Sequence, residues 1–437
     1  MPPLPSLRVW AVSALERLTR FHRQNPEEFY FCGLFWSFWT TLALYPIGYG
    51  FREVMPPLSL LFLLGYYRHA RSRCVAARLN VFPLFYCLWA MLCIGVFLSE
   101  HLWASLLHAG TGVNKGFILP FIAMECVREE KDLRRLIWAC VLACFWQGLD
   151  ALWQFHSGRD FIMGYPLNDG RLTGSLGDYA VGNYIALALI PAFGLWFILR
   201  EKLDAVASAF LLLAALWPAL FLLLGAAARA GMLAVAFGLA LWPALKKGFE
   251  QPRACLWFPV TGIAALAFFF VVSPRQKILD AAAVAGDGRW SLWELAWRIF
   301  CEHPWFGAGA GQYNTAFRAL GLAPARDAIT ISHPHNLFLD LLYAHGLVGF
   351  SLGMVFLFGF LIWGFRRIRA NLAAGWKDRL YWRLAAAFWI AYASWFANGL
   401  FGHDFYRTWW LGLAMSYLGV MAGAVVNGDS RGFRSHG

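Results

Sequence analysis

Residues 205–224 read AVASAFLLLAALWPALFLLL, twenty positions without a charge. A helix of that length rises about 30 Å, which matches the hydrocarbon thickness of a bilayer. The run ends in Gly225-Ala226-Ala227-Ala228-Arg229-Ala230-Gly231, and a second apolar run follows at once. Working outward, twelve such runs are found, from Tyr30–Tyr49 and Pro57–Tyr67 to Trp409–Val426, with Leu102–Cys126, Ala180–Leu199, Cys255–Val272 and Leu347–Trp363 among them. The composition agrees: of 437 residues 60% are hydrophobic and 14% charged, against about 45–50% and 25% in soluble domains. A mean hydropathy of +0.53 would leave a soluble globule with large wet apolar areas. The expected fold is therefore an all-α polytopic integral membrane protein of about twelve transmembrane helices.

The net charge of +12 would suggest nucleic acid in a soluble protein. Here it divides by loop. With the amino terminus in the cytoplasm, the inside segments carry 25 basic residues and the outside segments 11, as the positive-inside rule requires for two cytoplasmic ends. The expected organisation is a cytoplasmic arm (1–29), nine spans (30–272), a periplasmic loop (273–335), three spans (336–426) and a cytoplasmic tail (427–437). No small-residue cleavage site follows the first run, so it reads as a retained span. Nine scattered cysteines without a C-x-x-C pair point to neither a disulfide scaffold nor a zinc site.

The large outer loop is where chemistry can reside. Trp290, Trp293, Trp297 and Phe300 recur at helical spacing, either packing as a stripe on the spans below or lying on the membrane surface. Pro304-Trp305-Phe306-Gly307-Ala308-Gly309-Ala310-Gly311 forms a glycine-rich turn, with no preceding strand to support a dinucleotide or P-loop reading. Five outward cationic or imidazole positions stand out: Arg171, Arg229, Arg289, His333 and His335. Arg229, set between two apolar spans, is costly at that depth unless it meets an anion or a cavity, or snorkels. His333-Pro334-His335-Asn336 opens the apolar helix at Leu337, and two imidazoles alone do not make a metal site. His403 and Asp404 are weaker candidates. Lys115 and Asp150, on neighbouring spans, are expected to pair.

Arg289, the Pro304–Gly311 turn, and His335-Asn336 opening an apolar helix together resemble the bacterial O-antigen ligase and polymerase superfamily. The twelve spans, the long loop between the ninth and tenth, and an arginine after the seventh extend the resemblance over nearly the whole chain. It implies transfer of a glycan from an undecaprenyl-diphosphate carrier to an acceptor hydroxyl at the periplasmic face of the inner membrane. No metal, cofactor, nucleotide or nucleic acid is implied. By position, Arg229, Arg289 and His335 match the family's catalytic residues, and Arg171 its outward arginine-glycine segment. His333 and Asn336 are the further substrate-binding candidates. Two departures are expected: Ala228 stands where members often carry a hydroxyl, and His345 where they often carry an acid.

The chemistry fits these residues. Arginines can hold a diphosphate leaving group bidentately, and a neutral imidazole can take the proton of the attacking hydroxyl. The single long outer loop favours a ligase acting on a lipid A-core oligosaccharide. A polymerase using a second carrier-linked glycan, or a protein O-oligosaccharyltransferase, is the alternative. A transporter of lipid-linked anions would show repeated halves with broken helices, which the sequence lacks.

Overall fold

The computed structural model describes residues 16–17, 19–45, 47–112, 116–178, 180–247, 289–321, 333–373 and 379–434. Among them the chain is helical, apart from the isolated bridges Arg159–Pro166 and Asn168–Arg171. Five helices are long and apolar enough to cross a membrane: Glu130–Ser157, Val181–Leu199, Ala205–Gly225, Leu337–Ala373 and Thr408–Ser430. Shorter apolar helices cover Leu84–Phe97 and Arg229–Trp242. The first two expected spans fall on Pro26–Leu44 and Gly48–Ala70, the second a full 23-residue helix despite Pro56 and Pro57. The expected span Leu102–Cys126 contains the helices Leu102–Gly112 and Leu119–Glu125, and residues 113–115 between them lie outside the described residues. The ninth expected span, residues 273–288 and 322–332 of the outer loop, and Lys115 lie outside the described residues.

Local sequence sets the helix ends. Asp204 accepts hydrogen bonds from the Val206 and Ala207 N–H groups and starts Ala205–Gly225, satisfying donors that have no partner within the helix. Glu129 and Asp132 form a capping box before Glu130–Ser157, and Gly158 ends that helix at φ 80°, a left-handed conformation that glycine adopts without strain. On Ala205–Gly225 the residues Val206, Phe210, Leu213 and Trp217 are exposed at helical spacing. An apolar stripe turned outward is stable only against lipid. The Thr408–Ser430 helix is buried instead and forms the centre of the bundle.

The two ends of the bundle differ chemically. At one end basic residues are paired: Arg73 with Glu27, Arg128 with Glu28 (2.6 Å), Arg134 with Glu201 (2.5 Å) and Arg367 with Asp429 (3.6 Å). At the other end the 158–178 loop, the Gly225–Arg229 turn, residues 289–321 and 333–346, and the 400–407 loop meet. Leu172 N–H donates to Gly225 O (3.1 Å) and Ala310 N–H to Gly95 O (2.9 Å). Asp150 lies towards this end, where its Oδ1 accepts the Phe161 N–H (2.8 Å).

Leu337–Ala373 is not one helix. Gly346 adopts φ 60°, ψ −171°, and the two arms fold back so that Leu341 comes beside Gly353. Such a break leaves backbone donors and acceptors without helical partners, which is costly in an apolar surround. The glycine-rich turn supplies four of the missing partners. Ala308 and Gly309 N–H donate to the Tyr343 and Ala344 carbonyls (2.8 and 3.1 Å), while Leu347 and Val348 N–H donate to Pro304 and Trp305 O (2.7 and 3.1 Å). Gly307, at φ 76°, leaves no room for a Cβ, which would collide with the Ala344 and His345 backbone. The glycines thus permit backbone-to-backbone approach and cradle no phosphate. The arm 347–373 corresponds to the expected tenth span, and 337–345 is a separate short helix that carries the His-Asn motif at its start.

Candidate active site

Asn336 fixes that short helix. Its Oδ1 accepts from the Phe338 and Leu339 N–H groups (2.9 and 3.1 Å), and its Nδ2 donates to Leu400 O (3.1 Å). Both ends of the amide are thereby engaged by backbone, so Asn336 holds the motif in place rather than presenting a free amide to substrate. One residue earlier, His335 is held at φ 53°, a left-handed conformation uncommon outside glycine.

His335 Nδ1 lies 3.2 Å from the Gly402 carbonyl oxygen and 3.2 Å from His333 Nε2. A carbonyl only accepts, so Nδ1 carries the proton and Nε2 keeps its lone pair. Burial holds the His335 pKa down to about 4, reinforced by His333 and by the Arg289 charge, with Asp404 and the Gly402 bond opposing. His333 is also lowered, mainly by burial and against the pull of Asp404, whose Oδ1 is 3.8 Å from its Nε2. Both rings are therefore neutral at pH 7.

The loop between the last two helices ties the site together, one residue at a time. Gly402 O receives His335, His403 Nε2 meets Asn183 Nδ2 (3.2 Å), and Asp404 faces His333. Phe405 N–H donates to Asp340 Oδ2 (2.8 Å), Tyr406 OH lies 2.9 Å from His345 Nε2, and Arg407 lies 3.7 Å from Asp178. Six consecutive residues thus reach six separate partners. The sequence reading ranks His403 and Asp404 low and passes over Arg407 and Asp340. Their signal was the density of Gly-His-Asp-Phe-Tyr-Arg in a short loop. Asp340 also corrects an expected departure: an acid does stand in the first turn of the His-Asn helix, and His345 is a buried partner of Tyr406.

The three candidate arginines are placed differently. Arg289 begins the helix Arg289–Glu302, and its charge reaches both His335 and His403. That helix buries Leu292, Leu295, Ala296 and Ile299, whereas Trp290 and Trp297 are 66% and 52% exposed. The stripe is thus split: Trp290 and Trp297 face outward, while Phe300 packs against the buried face and Trp293 donates to Pro334 O (3.0 Å). Arg171 follows an Asp169-Gly170 turn with both φ positive, the geometry of a two-residue hairpin, and Leu172 docks the segment on Gly225. Arg229 is the first residue of its helix and is exposed, not sunk between apolar spans. Two residues on, Gly231 packs against Gly182 O and Asn183, which places the start of this helix beside the Asn183–His403 pair. The pairing expected for Lys115 and Asp150 lies outside the described residues on the Lys115 side.

Residues 214–354 match a family model described as O-antigen ligase. That segment contains Arg229, Arg289, His335 and Asp340; Arg171 and the 402–407 loop fall outside it. No curated protein matches the chain.

Proposed function

We propose, from the premise that the chain belongs to the O-antigen ligase family over residues 214–354, that it joins O-antigen from undecaprenyl diphosphate to a lipid A-core hydroxyl. Transfer takes place at the periplasmic face of the inner membrane, with both termini cytoplasmic. The observation that carries this reading is the partly buried His335, whose tautomer leaves the Nε2 lone pair free within reach of the Arg289 charge. In the step proposed, the acceptor hydroxyl oxygen attacks the anomeric carbon as its proton passes to His335 Nε2. The bond from that carbon to the phosphate oxygen breaks with inversion, and the diphosphate leaves with the bonding electrons. Arg229 and Arg289 stabilise the charge that develops on the leaving group, with Arg171 and His333 contributing to substrate binding. Guanidinium stays protonated throughout the physiological range, so charge stabilisation in this scheme needs no metal. Asn336 acts as a positioning residue.

Location supports the assignment as much as chemistry does. A lipid-linked donor brings its prenyl chain between helices and its sugar into water, so the reacting diphosphate must sit where the bundle meets the aqueous phase. The site lies at the end of the bundle opposite the paired basic residues, as the positive-inside rule requires of an outward-facing centre. Reconstitution of the purified protein with a carrier-linked glycan and lipid A-core tests the reading. A single glycan transferred to the core supports a ligase; a ladder on the carrier indicates a polymerase, and no product with either acceptor overturns both.

A further inference from the structure

His403 is a buried polar group without a role in the transfer step. It is 5% exposed, with its ring edge-on to Trp409 (4.9 Å between centroids) and Trp410 (5.8 Å). A chain of hydrogen bonds ends on it. Trp410 Nε1 donates to Asn398 Oδ1 (2.8 Å), Asn398 Nδ2 donates to Asn183 Oδ1 (3.0 Å), and Asn183 Nδ2 lies 3.2 Å from His403 Nε2.

This chain has only one consistent direction. An indole N–H can only donate, so the Asn398 atom facing it is oxygen. The Asn398 amide nitrogen then faces the Asn183 oxygen, and Asn183 turns its own NH2 towards the imidazole. His403 Nε2 must accept, which puts the proton of the neutral ring on Nδ1. That Nδ1 is buried and has no hydrogen-bond partner among the described residues, a costly state for a donor. The groups acting on the ring electrostatically are Arg407, His333, His335 and Arg289. The unused donor therefore lies within electrostatic reach of two guanidiniums and of the candidate base His335.

We propose that His403 is a further substrate-binding residue, whose Nδ1–H, oriented by the Trp410–Asn398–Asn183 chain, donates to a phosphate oxygen of a prenyl diphosphate. The proposal rests on the transfer reading above and deepens it. Two cations attract a diphosphate from any direction, whereas a single fixed N–H selects one oxygen and one orientation of the phosphate. A neutral donor also adds no third positive charge beside Arg289 and Arg407. The orienting chain links the helices at 181–192, 379–399 and 408–434, so the direction of the donor is set by the packing of the bundle.

Calorimetric binding of a short-chain prenyl diphosphate, and separately of inorganic pyrophosphate, to the full-length protein in detergent tests this. Wild type should bind the prenyl diphosphate; His403→Phe, which keeps a ring but removes the donor, should bind it about 10- to 100-fold more weakly, the loss of one hydrogen bond to a charged group. His403→Gln, whose amide can accept from Asn183 and still donate, should recover most of the affinity. A parallel change for pyrophosphate means that the diphosphate alone is recognised; a change confined to the prenyl compound means that the lipid orients it. Should His403→Phe fail to fold, Asn183→Asp decides, because its carboxylate requires a proton on Nε2. Imidazole 15N signals should then report the proton moving from Nδ1 to Nε2, together with weaker binding. A folded His403→Phe protein with wild-type affinity, or a raised acceptor KM with unchanged diphosphate binding, overturns the proposal and leaves the transfer reading standing. Absence of prenyl diphosphate binding by wild type overturns both.

Discussion

The Nδ1 atom of His335 lies 3.2 Å from the carbonyl oxygen of Gly402, and this contact decides which nitrogen of the ring is basic. Gly402 is 67 residues further along the chain, so the base and the group that orients it come from different loops. Gly402 has no room for a side chain, since a Cβ there would crowd the Asn398 carbonyl and amide oxygens.

The pH dependence of transfer follows from the environment of His335. Its pKa is lowered from the ordinary 6.5 to about 4, so the basic form persists well below neutrality. The free-enzyme profile of kcat/KM should therefore stay flat from pH 7 to about 5 and fall only as pH approaches 4. The same shift makes neutral His335 a source of acid sensitivity. A depressed pKa means that the unfolded chain takes up protons first, so stability present above 6.5 is lost as pH falls towards 4. An acid limb centred near 6.5 in the His335-dependent activity would contradict the assignment, and His335→Ala should lower turnover about 100-fold or more with expression intact.

The arginines should tolerate lysine poorly. Arg229→Lys and Arg289→Lys keep the charge but lose the bidentate fork, so each is expected to reduce kcat/KM about tenfold or more, and alanine further still. Steady-state transfer with a carrier-linked donor measures this, and near-normal turnover of either alanine variant removes that residue from the mechanism. In the same assay EDTA should leave activity undiminished; a loss restored by Mg²⁺ or Mn²⁺ would show that the guanidiniums do not suffice.

The helix break predicts a stability effect remote from the chemistry. Gly346 and Gly307 have φ of 60° and 76°, and a Cβ on either would collide with backbone. Gly346→Ala and Gly307→Ala should each destabilise by about 2 kcal/mol or more, read as a lower melting temperature in detergent. Gly158→Ala, equally left-handed at φ 80° but with open space around it, should cost less.

Asp340 is expected to act through its acceptor oxygen. Asp340→Ala leaves the buried Phe405 N–H unpaired, at a cost of about 1–3 kcal/mol, and loosens the loop that orients His335. Asp340→Asn retains an oxygen and should restore much of the stability. Thermal melting of the two variants side by side provides the check, and equal losses would indicate that the charge rather than the hydrogen bond matters.

Much of the fold was legible because its signal is local. The expected runs Ala205–Leu224 and Ala180–Leu199 reappear as the helices Ala205–Gly225 and Val181–Leu199, since transfer of apolar residues into hydrocarbon sums along a contiguous segment. The site was half legible. His335-Asn336 and Arg289 stood out by residue type, whereas Arg407, Asp340 and the role of His403 required knowing which loops meet. Arg229 stands out in the sequence as an outward arginine between apolar flanks; the turn at Ala227, with φ 51°, precedes it and leaves it exposed at the start of its helix.

The sequence by itself determined a helical membrane protein, the side on which basic residues gather and the presence of an imidazole-asparagine motif before a helix, because each depends on neighbours within one segment. The tertiary structure decided the chemistry of that motif. The protonated nitrogen of His335, the direction of His403 and the closure of the break at Gly346 each depend on a hydrogen bond to a distant segment. Such bonds are directional and short in range, so they exist only once the helices have packed.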